Sequence, residues 1–324
     1  MSAAAPMTRA ERVEGHGQAP ATVGESPVWR PAEQALYWVD IPARKILRLQ
    51  VETAVRSEWI LPEKVACIAF GRDGKVLAGC ESGLFAVTLP EADVDTDVDA
   101  GADTPGKPAH AAVNAPVRKL AAPIFAASDM RFNDGRCDRQ GRFWAGTMVQ
   151  DMAAAVPAGA LYRFDERGVL SAPVIEALIV QNGLAWSPDG RTMYLSDSHP
   201  SRRLVWAFDY DIDEGRPHNR RVLADLHRHA GRPDGAAIDV DGCYWICAND
   251  AGRVLRFTPD GTLDRQIEVP AIKPAMCAFG GRELDTLFVT SIRPGVGATE
   301  HDGHLFAVRP GVQGCAETEY AGAL

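Results

Sequence analysis

The sequence has no run of 18 apolar residues, no Cys-x-x-Cys pair and no basic run longer than two residues. The first absence excludes a membrane-spanning helix, so no membrane partner is expected. The third, with a formal net charge of −9 and an isoelectric point near 5.4, argues against a nucleic-acid partner, because phosphate neutralisation needs clustered Lys and Arg. No segment carries a sustained helical period with caps, which leaves little room for an α-helical fold. Residues 1–20 lack the apolar core of a signal peptide. The seven cysteines, at 67, 80, 137, 243, 247, 277 and 315, are odd in number and scattered. They read as reduced thiols of a cytoplasmic protein, with Cys243 and Cys247 as packing residues on one strand face.

What is present is ordinary in bulk and periodic in detail. The chain is 324 residues long, 46% apolar and 24% charged, the composition of a globular protein. One phrase recurs: an apolar residue, a polar stretch with Asp or Gly, then a run rich in aromatic and small residues. It appears as Phe70-Gly-Arg-Asp-Gly-Lys-Val-Leu-Ala-Gly79, Cys137-Asp-Arg-Gln-Gly-Arg-Phe-Trp-Ala-Gly146, Trp186-Ser-Pro-Asp-Gly-Arg-Thr-Met-Tyr-Leu195 and Ile238-Asp-Val-Asp-Gly-Cys-Tyr-Trp-Ile-Cys-Ala248. Weaker copies start at Pro31 and Gly281. Asp-Gly supplies the positive φ of a tight turn, and the flanking runs are strands, so each phrase is a hairpin. The anchors Trp38, Leu77, Trp144, Tyr194, Trp245 and Phe288 are spaced by 39, 67, 50, 51 and 43 residues. The long gap contains an acidic Ala/Pro/Gly-rich insertion at about 91–117. A repeat of 40 to 50 residues with short strands is the mark of a propeller blade. The expected fold is all-β: a six-bladed β-propeller with four-stranded antiparallel blades over 16–324, preceded by a flexible tail at 1–15. The aspartates at 93, 95, 97, 99 and 103 of the insertion read as a solvated loop, with a calcium loop as the alternative.

A propeller presents ligands where its innermost strands begin. Four segments place a polar residue there: Gly24-Glu-Ser-Pro-Val-Trp29, Arg131-Phe-Asn-Asp-Gly135, Gln181-Asn-Gly-Leu-Ala-Trp186 and Arg232-Pro-Asp-Gly-Ala236. Glu25, Asn182 and Asp234 would supply three hard oxygen ligands with two negative charges, suited to one divalent cation: Ca2+ foremost, with Mg2+, Mn2+ or Zn2+ as alternatives. Gly24-Glu-Ser-Pro-Val28 lacks the final Gly of a nucleophile elbow, so Ser26 reads as structural. His227 with His229, and His301 with His304, read as surface residues. The tryptophans at 29, 38, 144, 186, 206 and 245 read as inter-blade core rather than a sugar-stacking platform.

These four segments, with Ala145-Gly-Thr-Met148, Asn219-Arg-Arg-Val222, Phe279-Gly-Gly281 and Tyr320-Ala-Gly322, resemble the ordered motifs of the senescence-marker-protein/gluconolactonase/luciferin-regenerating-enzyme family over residues 16–322. The resemblance implies a carboxylic ester hydrolase, a lactonase opening a sugar aldonolactone. It implies metal ligands at Glu25, Asn182 and Asp234, substrate contacts at Arg131 and Asn133, and Asp234 as general base. A family acidic residue that contacts sugar hydroxyls falls on Asp151, one methylene shorter than the usual Glu. The expected partner is a small sugar lactone, with no obligate protein partner. Two other readings remain: a non-enzymatic calcium-binding propeller, and a hydrolase of other lactones or organophosphates at the same site.

Overall fold

The computed structural model describes residues 7–13, 19–90 and 112–324. Six sheets, each with an antiparallel four-stranded blade, follow one another along the chain. Blade 1 is Gly24–Arg30, Ala35–Asp40, Lys45–Gln50 and Arg56–Ile60. Blade 2 is Val65–Phe70, Val76–Cys80, Leu84–Val87 and Val117–Ala121. Blade 3 is Met130–Cys137, Phe143–Val149, Gly159–Phe164 and Ile175–Leu178. Blade 4 is Gln181–Trp186, Thr192–Asp197, Leu204–Asp211 and Arg216–Asp225. Blade 5 is Arg232–Ile238, Tyr244–Asn249, Arg253–Phe257 and Leu263–Glu268. Blade 6 is Pro274–Gly280, Thr286–Ser291 and Phe306–Val308, with Glu11–Arg12 as its outermost strand. The first strand of each blade packs against the first strand of the next, and blade 6 closes on blade 1, so six innermost strands line a central channel. Among the described residues no helix is long and apolar enough to cross a membrane.

The recurring phrase is the turn and second strand of each blade. Gly74 (φ 79°) and Gly242 (φ 79°) adopt the left-handed backbone that the Asp-Gly dipeptide supplies. All six anchors lie on second strands, and blade-to-blade packing buries them. Each interface between neighbouring blades has its own apolar cluster, such as Trp144 and Leu161 against Trp186 and Leu195 between blades 3 and 4. Trp144, Trp186 and Trp245 are fully buried, and each contributes about 1.5–3 kcal/mol or more of apolar burial. Trp29, Trp38 and Trp206 are buried as well, in keeping with a packing role for the indoles.

Two boundaries differ from expectation. Of the tail expected at 1–15, Met7–Arg9 pairs parallel with Leu263–Glu268 of blade 5, and Glu11–Arg12 pairs antiparallel with Phe306–Val308. The cause is the ring itself: blade 6 lacks a fourth strand of its own, and its exposed edge takes one from the N-terminal segment. Of the insertion expected at 91–117, residues 91–111 lie outside the described residues, together with the five aspartates and the calcium-loop alternative. Val113–Asn114 pairs with Trp59 and Ile60, and Val117 already belongs to blade 2, so the expected boundary at 117 runs into the sheet.

One end of the channel is closed. Residues 314–324 cross it, with Gly314 bridged to Asp239 and Tyr320 bridged to Gly71. Tyr320 is buried, stacks on Phe164 and donates its hydroxyl to the Asp165 carbonyl at 2.6 Å. The opposite end stays open.

Candidate active site

At the open end every innermost strand has a break in register. The shifts lie between Glu25 and Val28, Val65 and Cys67, Phe132 and Gly135, Asn182 and Ala185, Pro233 and Ala236, and Pro274 and Cys277. A bulge re-aims the side chains around it, and here it releases polar residues from the sheet faces. Ser26 takes a left-handed φ of 50° beside Glu25, and Gly183 takes φ 64° beside Asn182. At Gly183 a Cβ would collide with the Tyr244 hydroxyl, which fixes the choice of glycine there.

Glu25, Arg131, Asn133, Asn182 and Asp234 line one cavity of about 210 Å³. Much of the remaining wall is apolar, with Val23, Ile41, Met148, Val180 and Ile292. Thus residues from blades 1, 3, 4 and 5 meet at the open end of the channel. Asp151 does not join them. It is exposed and caps the short turn Met152–Ala154, accepting the Ala153 N–H at 3.1 Å, and Met152 lines the cavity instead. The short aspartate side chain satisfies the local backbone, where a longer one would extend further. His227 pairs with Asp225 at 2.8 Å, and His229, His301 and His304 also lie outside the cavity lining.

The polar groups are held by neighbours. Arg131 Nη1 donates to Asn133 Oδ1 at 2.8 Å and to the Phe132 carbonyl at 2.7 Å. Asn133 Nδ2 donates to the Gln181 carbonyl at 2.7 Å and, at 3.3 Å, to Asn182 Oδ1. Asn182 Nδ2 donates to Ser198 Oγ at 2.6 Å, which turns its Oδ1 away from Ser198. Asn249 Nδ2 donates to Asp234 Oδ2 at 2.7 Å. Behind the strands, Asp40 accepts the N–H groups of Thr22 and Val23, and Asp197 those of Ile179 and Val180, pinning the entries to Glu25 and Asn182. Ser26 Oγ accepts the Ile68 N–H at 2.9 Å and ties blade 1 to blade 2, the structural role read from its motif.

Burial raises the Glu25 carboxyl well above its usual value, and the charge of Asp234 raises it further. Burial also pushes Asp234 up to about 7, against the opposing influence of Arg232 and Asn249. Among the described residues no group of three His, Cys, Asp or Glu side chains forms a metal site. The donor set here is two carboxylates and one amide oxygen. Two recessed carboxylates, one of which disfavours the other's ionisation, next to an oriented amide oxygen, fit a hard divalent cation.

A family model described as "SMP-30/Gluconolactonase/LRE-like region" matches residues 23–293. The chain belongs to this family. A 6-deoxy-6-sulfogluconolactonase of Pseudomonas putida is 38% identical over 311 residues, covering 94% of this chain and 96% of the relative. Human regucalcin is 32% identical over 316 residues, covering 92% and 95%. Among solved structures, a luciferin-regenerating enzyme superposes with a TM-score of 0.83 at 24% identity, covering 96% of this chain and 99% of that one. A regucalcin of Agrobacterium tumefaciens, described as a calcium-binding protein, has a TM-score of 0.81 at 25% identity, covering 98% and 99%. The six-bladed propeller of the family is therefore the fold of this chain.

The sequence motifs did not single out Ser198, Asn249 and Lys273, nor assign a role to Arg232. Ser198 and Asn249 carried a usable signal: they stand 51 residues apart, the same interval as Tyr194 and Trp245, which puts Asn249 at the end of one second strand and Ser198 just past the end of the one before it.

Proposed function

We propose that the protein is a metal-dependent lactonase that opens a sugar aldonolactone to its aldonic acid. The convergence of Glu25, Asn182 and Asp234 with Arg131 and Asn133 in one cavity carries this reading, and family membership supports it. Glu25, Asn182 and Asp234 would hold one divalent cation. Ca2+ suits the all-oxygen donors best, with Mg2+, Mn2+ and Zn2+ as alternatives. The bound ion would supply Lewis-acid polarisation of the lactone carbonyl.

The remaining chemistry falls to side chains of this chain. Asp234 takes a proton from the attacking water as its oxygen bonds to the carbonyl carbon. It returns that proton to the ring oxygen as the carbon–oxygen bond of the ring breaks. The Asn249 amide, donating to Oδ2 at 2.7 Å, fixes the orientation of its carboxyl for both transfers. Arg131, held by Asn133 and the Phe132 carbonyl, orients substrate oxygens and faces the negative charge that develops on them. The seven free thiols suit a cytoplasmic setting.

The test is acid release at constant pH across a panel of aldonolactones, with and without EDTA. Turnover that the chelator abolishes and a divalent ion restores is the expected result. Hydrolysis of no lactone in the panel would overturn the reading.

A further inference from the structure

The cavity has a second group of charges that the lactonase chemistry does not use. Arg232 opens the innermost strand of blade 5, and Lys273 immediately precedes that of blade 6. Both line the cavity, and both pair with one carboxylate, Asp250. Asp250 lies outside the lining and is the most exposed of the three, at 40% of its side chain against 19% for Arg232 and 27% for Lys273. So the cavity lining holds two cations, and the anion they share lies outside it.

Their donors are only partly committed. Arg232 uses Nε on Asp250 at 2.6 Å, Nη1 on the Ser198 carbonyl at 3.3 Å and Nη2 on Asn249 Oδ1 at 3.4 Å. A guanidinium carries five N–H groups and an ammonium three, so about two remain on each side chain. The anchors also fix the guanidinium plane, which favours a bidentate oxyanion. Blade 6 stands across the ring from blade 3, which carries Arg131 and Asn133. Arg232 stands on blade 5, two residues before Asp234, and a neutral sugar lactone offers no negative group for this cationic pair to meet. Once Glu25 and Asp234 are neutralised by a divalent ion, the remaining charge of the cavity wall is positive.

We propose that Arg232 and Lys273 select lactones bearing an oxyanion at the sugar carbon farthest from the lactone carbonyl: a carboxylate, a sulfonate or a phosphate. The proposal rests on the lactonase reading and specifies its substrate class.

The experiment compares kcat/KM for aldonolactones that carry a hydroxyl, a carboxylate, a sulfonate or a phosphate at C6. At least one anionic lactone is expected to exceed the neutral one by about tenfold or more, with the advantage shrinking as salt is added. The three anionic arms identify the oxyanion. Lys273→Gln should cut the anionic-to-neutral ratio about tenfold, and Lys273→Arg should keep most of it. Asp250→Asn should move the ratio the other way, because it frees both cations from their shared carboxylate. Asp250 has φ 70°, a conformation asparagine tolerates, so this variant should fold. A wild-type ratio of one or less, or a ratio unmoved by both Lys273→Gln and Asp250→Asn, overturns the proposal. Calorimetric binding of the ring-opened products, with and without the C6 anion, reads the same preference without turnover. Absence of hydrolysis would then reject the lactonase reading alone, and equal affinity for the two products would reject this one.

Discussion

At the closed end of the channel Asp138 and Asp239 are fully buried, and each is surrounded by donors. Asp138 accepts from the backbone of Gln140 and Arg142, the Arg142 guanidinium, the Trp144 indole and the Tyr210 hydroxyl. Asp239 accepts from the Cys243 backbone, the Trp245 indole and Arg256. At the open end Glu25 and Asp234 are recessed in one cavity, and the charge of Asp234 discourages Glu25 from ionising. One repeating scaffold thus builds two kinds of buried carboxylate. Where guanidinium, indole and hydroxyl converge on the acid, it braces a turn. Where a second acid shares the space, the pair suits the cation proposed for it, because burying like charges together is unfavourable without a counter-charge.

The two ends should respond differently to mutation, and the largest contrast is in turnover. Asp234→Ala should lower kcat by at least about 10³-fold and remove bound metal together with it, since the proposed mechanism assigns both proton transfers and one ligand position to that carboxyl. Arg131→Ala should lower kcat/KM by about 10- to 100-fold with metal content intact. Steady-state kinetics and elemental analysis of the same preparations read both. Normal turnover in either variant removes the role given to that residue.

Asp138→Ala should do the reverse. It leaves Arg142, the Trp144 indole and the Tyr210 hydroxyl without their shared acceptor in a buried setting. The cost is about 3 kcal/mol or more, or roughly 4–5 °C or more in Tm. At a temperature where the variant is folded, its metal affinity and kcat/KM should match the parent. A loss of metal affinity there would mean that the two ends are coupled.

The third effect is smaller and depends on pH. Asp234 has a folded-state carboxyl near 7 against an ordinary value of 3.8. Between about pH 4 and pH 7 the unfolded chain releases a proton that the metal-free fold retains, so the stability of that form falls as pH rises through the window. A divalent ion prefers the ionised acid, so the gain in Tm from adding Ca2+ should be several degrees larger at pH 8 than at pH 5. Scans with EDTA and with Ca2+ at the two pH values check this. An equal gain at both would show that the ion does not meet these carboxylates.

The closed end was easier to read from sequence than the open one. Asp-Gly turns and anchors such as Trp144 and Trp245 recur because every blade needs the same hairpin and the same inter-blade packing, and a repeated physical requirement leaves a repeated phrase. Glu25, Asn182 and Asp234 were legible as polar residues at the starts of innermost strands, although the bulges that turn them toward one cavity were not. Met7–Arg12 was missed because its strands complete sheets formed more than 250 residues later and carry no phrase of their own. Asp151 was misplaced because a side chain's reach is set by the backbone beneath it, and this one caps its own turn. Arg232 and Lys273 belong to neighbouring blades, and only folding brings them to one carboxylate.

The smallest expected change separates the two ends most finely. Ser26 sits next to Glu25 in a Gly-Glu-Ser-Pro-Val motif, yet its hydroxyl oxygen is occupied by the Ile68 N–H and the residue is only 2% exposed. Were it a nucleophile, its removal would abolish turnover. As an inter-blade tie, Ser26→Ala leaves one buried N–H without an acceptor, a loss of about 1–2 kcal/mol. We expect kcat within a few-fold of the parent at a temperature where the variant is folded, with Tm a few degrees lower. Thermal scans and initial rates on one lactone decide it: a collapse of kcat with Tm unchanged would move Ser26 from the scaffold to the chemistry, and the carboxylate pair would no longer be the whole of the reactive centre.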